Sequence, residues 1–286
     1  MRATWGAALG SATLRLKQAG IESARLDARL LLAHALSVST THLFANPAAS
    51  LSAEEEDRIE TLLLRRLARE PMSHILGRRE FWGLDFKVTP AVLDPRADTE
   101  TLIEAALDLI PDRFQPLDIL DLGTGSGCIL LALLSELPQA TGIGVDASPA
   151  ALAVARENAR LLSLDHRARF VEGCWGQGIE GVFDLILSNP PYIPDGAIDA
   201  LEPEVARFEP RSALAGGADG LDCYRALIPD AVRLLAPNGA LLLEVGQGQA
   251  GDVSALLTAA GLELFDVRDD LAGIARCVVA GRPEAG

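Results

Sequence analysis

Long apolar runs are missing from this sequence. Its apolar stretches are mostly about four to eight residues long, and none reaches the roughly 18 residues that a membrane-spanning helix needs. The first twenty residues also lack a charged start followed by a continuous apolar block, so we expect no signal peptide. We therefore expect a cytoplasmic protein that does not enter a membrane.

Cysteine is also scarce. The four cysteines, Cys128, Cys174, Cys223 and Cys277, are far apart and form neither a CxxC pair nor a metal-ligand pattern. Buried free thiols in a reducing cytosol are the simplest interpretation. The sequence therefore predicts no bound metal.

Positive charge is in short supply over most of the chain, whose formal net charge is −15. Residues 1–90 carry 12 Lys and Arg against 10 Asp and Glu, whereas residues 91–286 carry 13 against 30. An acidic surface repels the phosphate backbone of a nucleic acid. We therefore expect no direct binding of DNA or RNA.

The first part of the chain has the apolar spacing of helices. The run ESARLDARLLLAHAL repeats apolar residues at helical intervals. Ser52 followed by Glu55 is a capping box, which predicts a helix over 53–70 that Pro71 ends. We assign residues 1–75 to a small helical domain.

Residues 76–97 have a different character, and we interpret them as a linker. The run EFWGLDFKV at 80–88 alternates aromatic and polar residues around a glycine, which predicts a β-hairpin. After the linker, Asp98 or Thr99 is expected to cap a helix over 101–110.

Strand and helix patterns then alternate over residues 98–286. Strands are predicted at 117–122, 141–146, 168–173, 182–187, 239–245, 262–267 and 275–280, with a helix at 149–164. Such alternation is typical of a parallel α/β sheet with right-handed crossovers. The last two strands are joined by a segment too short for a crossover helix, so we expect that pair to be antiparallel. This predicts the seven-stranded, mostly parallel sheet of class I S-adenosylmethionine-dependent methyltransferases.

The first strand of this region ends in a glycine-rich run, DLGTGSGC. Gly123, Gly125 and Gly127 allow a sharp turn and a close approach of the backbone to a ligand. Asp146 ends the next strand about twenty residues later, where a carboxylate can bind both hydroxyls of a ribose. A helix cap is the alternative role for Asp146. The pattern indicates a nucleoside cofactor and leaves NAD and S-adenosylmethionine both open.

The run SNPPY at 188–192 follows the fourth strand. In a sheet ordered 3-2-1-4 the first and fourth strands are neighbours, so Asn189 is expected to face the glycine loop. The Asn189 side chain and the Pro190 carbonyl are two acceptors on a stiff segment, and Tyr192 supplies a ring that can stack on a planar group. This arrangement suits an NH₂ group aimed at a methyl sulfonium, and hydride transfer has no use for it. Methylation of an amide nitrogen and methylation of adenine N6 both remain open.

Together, the motifs resemble those of the N5-glutamine methyltransferases of peptide chain release factors, the HemK/PrmC family. Besides DLGTGSG and NPPY, the resemblance depends on ILGRREFWGL at 75–84, VLDPRADTE at 92–100, FEPRSALAGGADGL at 208–221 and EVGQGQ at 244–249. The motifs extend over nearly the whole chain.

This resemblance implies a substrate and a methyl donor. The substrate would be the glutamine of the Gly-Gly-Gln motif in release factors, with S-adenosylmethionine as donor and S-adenosylhomocysteine as product. The helical domain of residues 1–75 would help to hold the release factor. We expect the protein to act as a monomer.

The resemblance also implies roles for individual residues. The cofactor would be bound by Gly123, Thr124, Gly125, Ser126, Gly127, Asp146, Trp175 and Asn189. The glutamine amide would be bound by Asn189, Pro190, Pro191 and Tyr192. The catalytic residues among these would be Asn189, Pro190 and Tyr192.

Two places depart from the family pattern. Asp94 and Ala97 stand where the family usually has isoleucine and proline. Cys174 precedes Trp175 where an acidic residue is usual, so an acidic contact to the adenine amino group would be absent or moved to Glu172.

Three other functions remain as alternatives. A glutamine methyltransferase that acts on a ribosomal protein has nearly the same motifs. A nucleic-acid adenine methyltransferase would need a basic groove and usually a base-recognition domain, and neither is visible in the sequence. A catalytically inactive cofactor-binding module is disfavoured by the intact Asp146 and Asn189.

Overall fold

The computed structural model describes residues 3–283 of the chain. The chain divides into two units, Met1–Gly77 with Glu202–Phe208, and Arg78–Leu201 with Glu209–Gly286. The first unit corresponds to the expected helical domain, but it takes in a short segment from the second half of the chain. The hairpin that we assigned to a linker belongs to the second unit.

Helices build the first unit. Those from the N-terminal part of the chain are α1 (Trp5–Gln18), α2 (Ala24–Leu36), α3 (Thr40–Ala45), α4 (Ala53–Leu67) and α5 (Met72–Leu76). The predicted capping box is confirmed, because Ser52 Oγ accepts from the Glu55 amide at 3.2 Å and the Ser52 amide donates to Glu55 Oε2 at 2.7 Å. Helix α4 ends earlier than expected, and Arg69 just beyond it adopts a left-handed φ of 71°.

The apolar faces of these helices form the core of the first unit. Its fully buried side chains include Ala28, Leu16, Leu31 and Leu32. Burying one such leucine contributes about 1.5–3 kcal/mol. The segment Glu202–Phe208 is attached to this unit by charge, since Glu204 forms ion pairs with Arg66 and Arg69.

The second unit begins with the predicted hairpin, which is confirmed. Strand β1 (Arg78–Phe81) pairs antiparallel with β2 (Leu84–Lys87). The rings of Phe81 and Phe86 are buried in the core of this unit, and their centroids lie 6.1 Å apart. The hairpin is therefore part of the sheet domain.

A seven-stranded sheet forms the centre of the second unit. Its strands are β3 (Asp118–Leu122), β4 (Thr141–Asp146), β5 (Ala168–Glu172), β6 (Phe183–Ser188), β7 (Leu235–Glu244), β8 (Glu263–Asp269) and β9 (Ala275–Gly281). They lie in the order β5-β4-β3-β6-β7-β9-β8, and neighbours are parallel except in the two pairs that involve β9. The predicted fold, including its antiparallel end, is confirmed.

Helices cover both faces of this sheet. The remaining helices are α6 (Glu100–Asp108), α7 (Cys128–Glu136), α8 (Pro149–Leu161), α9 (Pro203–Phe208, in the first unit), α10 (Asp222–Leu234) and α11 (Ala250–Ala259). On β3, Ile119 faces a core shared with α6, α7 and α8, whereas Leu120 faces a core shared with α10 and α11. Apolar residues on both faces are what a buried parallel sheet requires. Among residues 3–283, no helix combines the length and the apolar character needed to cross a membrane.

The start of α6 differs from the prediction. A short 3₁₀ turn, Ala97–Thr99, precedes the helix, and the side chain of Thr99 makes no capping hydrogen bond. Its hydroxyl instead accepts from Asn189 Nδ2 at 3.2 Å. Asp98 lies 3.3 Å from a guanidinium nitrogen of Arg276. Thr99 thus occupies the predicted N-cap position, but its hydroxyl is engaged by a residue 90 positions away and not by the first turn of the helix.

Candidate active site

A cavity of about 350 Å³ opens at the carboxyl ends of β3, β4 and β6. Among the residues proposed from the sequence, its lining includes Gly123, Thr124, Gly125, Ser126, Asp146, Trp175, Asn189 and Pro191. Since β3 and β6 are paired, the glycine loop and Asn189 meet although they are far apart in the sequence. Ligands of open α/β sheets bind in this position, outside the carboxyl ends at the switch in strand order.

A larger cavity, of about 580 Å³, lies at the opposite ends of β3, β4 and β5. Two of its arginines, Arg156 and Arg167, donate to backbone carbonyl groups and so hold the fold together. Because the amino ends of parallel strands are not where such sheets bind ligands, we assign the active site to the smaller cavity.

The glycine loop gives the cavity a wall of bare backbone. Gly123, Gly125 and Gly127 have φ values of 77°, 56° and 81°, a region that side chains disfavour. The amides of Gly123 and Thr124 both donate to the Val145 carbonyl, at 2.8 and 2.9 Å. The loop is therefore fixed to the end of β4 and presents its backbone to a ligand.

Asp146 stands at the end of β4, next to this loop. Its Oδ2 accepts from the Gly125 amide at 2.9 Å, and its Oδ1 accepts from the Ser148 amide at 2.8 Å. The side chain that caps α8 is Ser148, which accepts from the Ala151 amide at 3.2 Å. Asp146 is thus not the cap of that helix, and each of its carboxylate oxygens keeps a lone pair for a ligand.

Trp175 forms a second wall of the cavity. It has an unusual φ of 52°, and its ring lies so close to the loop that a Cβ on Gly123 would be 3.5 Å from Cζ3. The exposed Cys174 also lines the cavity. Glu172 is exposed at the end of β5. The 3.5 Å distance is an ordinary van der Waals contact, so it is the φ of 77° that requires glycine at position 123, and the Trp175 ring borders the cavity beside the loop.

Asn189 begins the segment that follows β6. The Ser188 hydroxyl donates to the Leu122 carbonyl at 2.6 Å, which ties the end of β6 to the end of β3. Asn189 itself is half-buried, lines the cavity and donates from Nδ2 to Thr99 Oγ1 at 3.2 Å. With Nδ2 engaged in this way, Oδ1 is the side-chain atom left for a ligand.

The two prolines and the tyrosine have different surroundings. Pro190 is buried, and Pro191 lines the cavity. The Tyr192 hydroxyl donates to Glu244 Oε1 at 3.4 Å, and burial raises the pKa of Tyr192 to about 12, so the phenol is neutral. Its hydroxyl is therefore anchored at the end of β7.

Two glycine-containing motifs hold the backbone of Tyr192 in place. Gln249 Nε2 donates to the Tyr192 carbonyl at 3.0 Å. Gly216 approaches from the other side, where a Cβ would lie 2.9 Å from the Tyr192 carbonyl carbon. The runs GGADG and EVGQGQ, which contributed to the resemblance, thus meet behind the NPPY segment.

Burial perturbs the acidic groups next to the loop. Asp121 is fully buried and accepts from Thr124 Oγ1 at 2.6 Å. Burial raises its pKa to about 7, the Thr124 hydrogen bond opposes the rise, and the nearby Asp146 adds to it. Asp121 is thus partly protonated near neutral pH, and its electrostatic repulsion of the Asp146 carboxylate is weaker than that of a full negative charge.

Glu209 and Asp94 form a second acidic pair. The carboxylate of Glu209 accepts from the Asp94 amide at 3.2 Å and from Arg96 Nη2 at 3.3 Å. Burial raises the pKa of Glu209 to about 7, although Arg96 opposes the change. The side chain of Asp94, which departs from the family pattern, is buried 3.9 Å from Arg79 Nε. Asp94 therefore helps to fix the segment that forms the mouth of the cavity.

Sequence reasoning did not assign roles to several of these residues. The unassigned residues that contact or support the site are Thr99, Glu209, Glu244 and Gln249. All four lie in motifs that carried the resemblance, which was the available signal. Their partners are more than fifty positions away, and the sequence alone does not pair them.

The residues around the cavity fit S-adenosylmethionine. A bare glycine backbone would accommodate the methionine part, Asp146 has lone pairs that would be available to ribose hydroxyls, and the space beside the Trp175 ring would suit a flat base. The backbone of Gly123 and Gly125 and the carboxylate of Asp146 all line the cavity, which gives it polar groups for a ligand. The cavity therefore has the donor set and the shape that this cofactor needs.

Comparison with known families finds two matches along the chain. Residues 7–77 match a family described as the PrmC N-terminal domain. Residues 115–259 match a family described as a methyltransferase domain. The first match lies within the helical unit, and the second covers β3 to β7, the parallel part of the sheet that carries the cavity.

Whole-chain relatives are also found. A release factor glutamine methyltransferase from Rhodospirillum rubrum is 50% identical over 98% of this chain and 86% of its own length. One from Bradyrhizobium diazoefficiens is 51% identical over 93% of this chain and 91% of its own length. Among solved structures, the T. thermophilus 16S rRNA N2 G1207 methyltransferase in complex with AdoMet and guanosine is similar in fold. It has a TM-score of 0.53 and 19% identity, over 72% of this chain and 50% of its own.

Proposed function

The chain belongs to the family of release factor glutamine methyltransferases, and from this premise we propose the following reaction. The enzyme transfers a methyl group from S-adenosylmethionine to N5 of the glutamine in the Gly-Gly-Gln motif of peptide chain release factors. The observation that carries the proposal is the position of Asn189, which lies in one cavity with the glycine loop and has its Nδ2 turned away to Thr99.

The methyl donor has a defined set of contacts in this proposal. When bound, S-adenosylmethionine supplies an electrophilic methyl group on a sulfonium. The loop from Gly123 to Gly127 holds its methionine part, Asp146 holds the ribose, and Trp175 flanks the adenine. Since the loop and Asp146 are fixed to each other by the Gly125 amide, they form one rigid half of the site.

The glutamine amide is held by the other half of the site. Asn189 Oδ1 and the Pro190 carbonyl accept from the two N–H groups of the amide, and Pro191 keeps these acceptors at a fixed separation. Tyr192 offers its ring to the plane of the amide, and its hydroxyl at Glu244 limits how that ring can move. Orientation of the NH₂ is the main task of these residues.

An amide nitrogen is a poor nucleophile, because its lone pair is delocalised into the carbonyl. Two fixed acceptors stabilise the positive charge that develops on nitrogen as the new bond forms. The S–CH₃ bond breaks as the N–CH₃ bond forms, and S-adenosylhomocysteine is the leaving group. The N–H proton becomes acidic only during that step and then passes to solvent, so no side-chain base is required beforehand. Asn189 therefore acts through geometry and acceptor strength.

The partner of the enzyme is a protein in this proposal. The helical unit helps to hold the release factor, and the enzyme works as a monomer in the cytoplasm, where translation terminates. The acidic charge of residues 91–286 argues against direct contact with a nucleic acid.

Transfer of labelled methyl from S-adenosylmethionine to a purified release factor tests the function. We expect labelling of the wild-type release factor and none of a variant whose motif glutamine is replaced by alanine. A ribosomal protein and DNA, incubated under the same conditions, should remain unlabelled. Labelling of either control with none of the release factor would overturn the proposal.

A further inference from the structure

Buried polar groups lie behind Asn189, and they have no role in the reaction proposed above. Thr99, whose hydroxyl accepts from Asn189 Nδ2, is 2% exposed. Glu244, at the end of β7, is 1% exposed and accepts from the Tyr192 hydroxyl through Oε1. Two segments of the proposed amide clamp, Asn189 and Tyr192, thus lead to the same buried carboxyl group.

Glu244 needs a further hydrogen-bond donor. Within residues 3–283, its Oε2 is buried and has no partner in ordinary hydrogen-bond geometry. The Thr99 side chain is next to it and can act as this donor. Burial raises the pKa of Glu244 to about 7, and the Thr99 hydroxyl, followed by the charge of Arg276, opposes that rise. Thr99 occupies the N-cap position of α6 without a side-chain capping hydrogen bond, and its hydroxyl accepts from Asn189, so its proton is available to Glu244.

The hydroxyl of Thr99 has one proton, and this decides which way the Asn189 amide faces. If Thr99 donates this proton in a hydrogen bond to Glu244, it can only accept from Asn189. Nδ2 must then face Thr99, and Oδ1 must face the cavity. If Thr99 instead donated to Asn189, the amide would turn over and present its NH₂ to the cavity. The NH₂ of Asn189 would then face the NH₂ of the substrate amide, and two donors cannot form a hydrogen bond with each other.

We propose that Thr99 and Glu244 are positioning residues: ionised Glu244 accepts a hydrogen bond from the Thr99 hydroxyl, Thr99 then accepts from Asn189 Nδ2, and Asn189 Oδ1 is thereby directed toward the substrate. The part of this inference that concerns the substrate amide rests on the proposed function. The orientation of Asn189 itself is a property of the enzyme alone.

Protonation of Glu244 reverses the arrangement, because a carboxylic acid can donate to Thr99 and leave the threonine proton for Asn189 Oδ1. The groups around Glu244 are Asp98, Tyr192, Tyr224, Arg276, Cys128 and Cys277. Burial raises the pKa values of these tyrosines and cysteines, so they stay neutral. Arg276 forms ion pairs with Asp98 at 3.3 Å and with Asp270 at 3.1 Å, and among these groups Glu244 is the one whose pKa is raised to about 7.

A pair of threonine variants tests the inference by kinetics. Thr99→Val removes the hydroxyl at nearly constant volume and should lower kcat about 10- to 100-fold, with small changes in KM and in the affinity for S-adenosylmethionine. Thr99→Ser restores the hydroxyl and should return kcat to within a few fold of the wild type. A valine variant as fast as the wild type, or a serine variant as slow as valine, would overturn it.

The pH profile provides a second readout. In the wild type, kcat should fall as the pH decreases through about 7, because protonated Glu244 releases the Asn189 amide. Glu244→Gln keeps the shape of the side chain but cannot ionise, so the contribution of Glu244 to the inflection in kcat should be lost in this variant. An unchanged inflection in Glu244→Gln contradicts the assignment.

A spectroscopic test needs no substrate and separates this inference from the proposed function. The ¹⁵N side-chain amide signal of Asn189, assigned by its loss in Asn189→Asp, should shift with a midpoint near pH 7. The shift should vanish in Thr99→Val and in Glu244→Gln. If the wild type methylates no release factor but shows this titration, the proposed function fails and the positioning role stands. A signal that does not titrate, or titrates equally in Thr99→Val, overturns the positioning role.

Discussion

The Arg66 guanidinium lies 2.8 Å from the Glu204 carboxylate, although 138 positions separate the two residues in the chain. The same guanidinium donates to Asp27 Oδ2 at 2.8 Å, and both side chains of that pair are buried. Glu204 also pairs with Arg69 at 2.8 Å. Burial works against the charge of Glu204, but the hydrogen bonds from Arg66 and Arg69 outweigh it and hold the pKa of Glu204 below its ordinary value.

Replacing Glu204 should therefore destabilise the protein. Glu204→Ala leaves the buried charge of Arg66 with less compensation, and we expect a loss of about 2–4 kcal/mol in the free energy of unfolding. Denaturant titration followed by circular dichroism measures it. Glu202→Ala, at an exposed position of the same segment, is the control and should cost less than about 0.5 kcal/mol. Equal losses in both variants would show that the ion pairs are unimportant.

Asp146 is expected to decide the affinity for the methyl donor. Asp146→Ala should weaken S-adenosylmethionine binding by about 1.5–3 kcal/mol, the range for a charge-assisted hydrogen bond. Calorimetry on the folded variant gives the affinity. Ser148→Ala, which removes the cap of α8 and leaves the carboxylate intact, serves as the control. If only the Ser148 variant loses affinity, the ribose assignment is wrong.

Asn189 is expected to decide the rate. Asn189→Ala should lower turnover roughly 10²–10³-fold, the cost of losing one preorganised polar contact in a transition state. Asn189→Asp keeps an acceptor but adds a charge near the sulfonium, so it should bind the donor measurably and turn over slowly. Single-turnover methylation of a release factor measures both variants. An alanine variant within a few fold of the wild type would contradict the clamp mechanism.

Stability should fall as the pH rises toward neutrality. Burial raises the pKa values of Asp121, Glu209 and Glu244 to about 7, well above those of an unfolded chain. The native state therefore binds more protons than the unfolded state between about pH 4 and pH 7. The stabilisation is complete below that window and is lost as the pH rises through it. We expect the free energy of unfolding to be at least ~2 kcal/mol higher at pH 5.5 than at pH 8.

The pH effect has a direct control. Glu244→Gln cannot titrate, so the difference in unfolding free energy between the two pH values should shrink in this variant. Denaturant titrations at matched ionic strength give both values. A wild type that becomes more stable as the pH rises over this range would contradict the raised pKa values of Asp121, Glu209 and Glu244.

The sequence was sufficient to predict the sheet and the part of the site formed by the glycine loop and Asn189. Short apolar runs alternating with helical patterns predicted the strands, and the short last connection predicted the antiparallel end. The placement of Asn189 opposite the glycine loop followed from strand order alone. These features depend on local periodicity and on general rules of topology, both of which can be read without coordinates.

The buried contacts behind Asn189 and Tyr192, and those at Asp94, could not be predicted in this way. Thr99 looks like a helix cap in the sequence, yet its hydroxyl is engaged by Asn189, 90 positions later. Glu244 ends an apolar strand and gives no sign that it is buried next to Tyr192. The contact between Glu209 and Asp94 spans 115 positions. Such pairings depend on the three-dimensional path of the loops, which single-sequence patterns do not encode.

The segment Glu202–Phe208 has a consequence for the order in which the protein is made. The helical unit is synthesised first, but part of it arrives only after the central strands of the second unit. At roughly 5–20 residues per second, the ribosome needs about 7–28 s to travel from Arg66 to Glu204. During that interval Asp27 is the only one of the two carboxylates bound to Arg66 in the finished protein that has already been made. Until Glu204 has been made, the nascent helical unit therefore lacks the ion pairs that this residue forms with Arg66 and Arg69 in the finished protein.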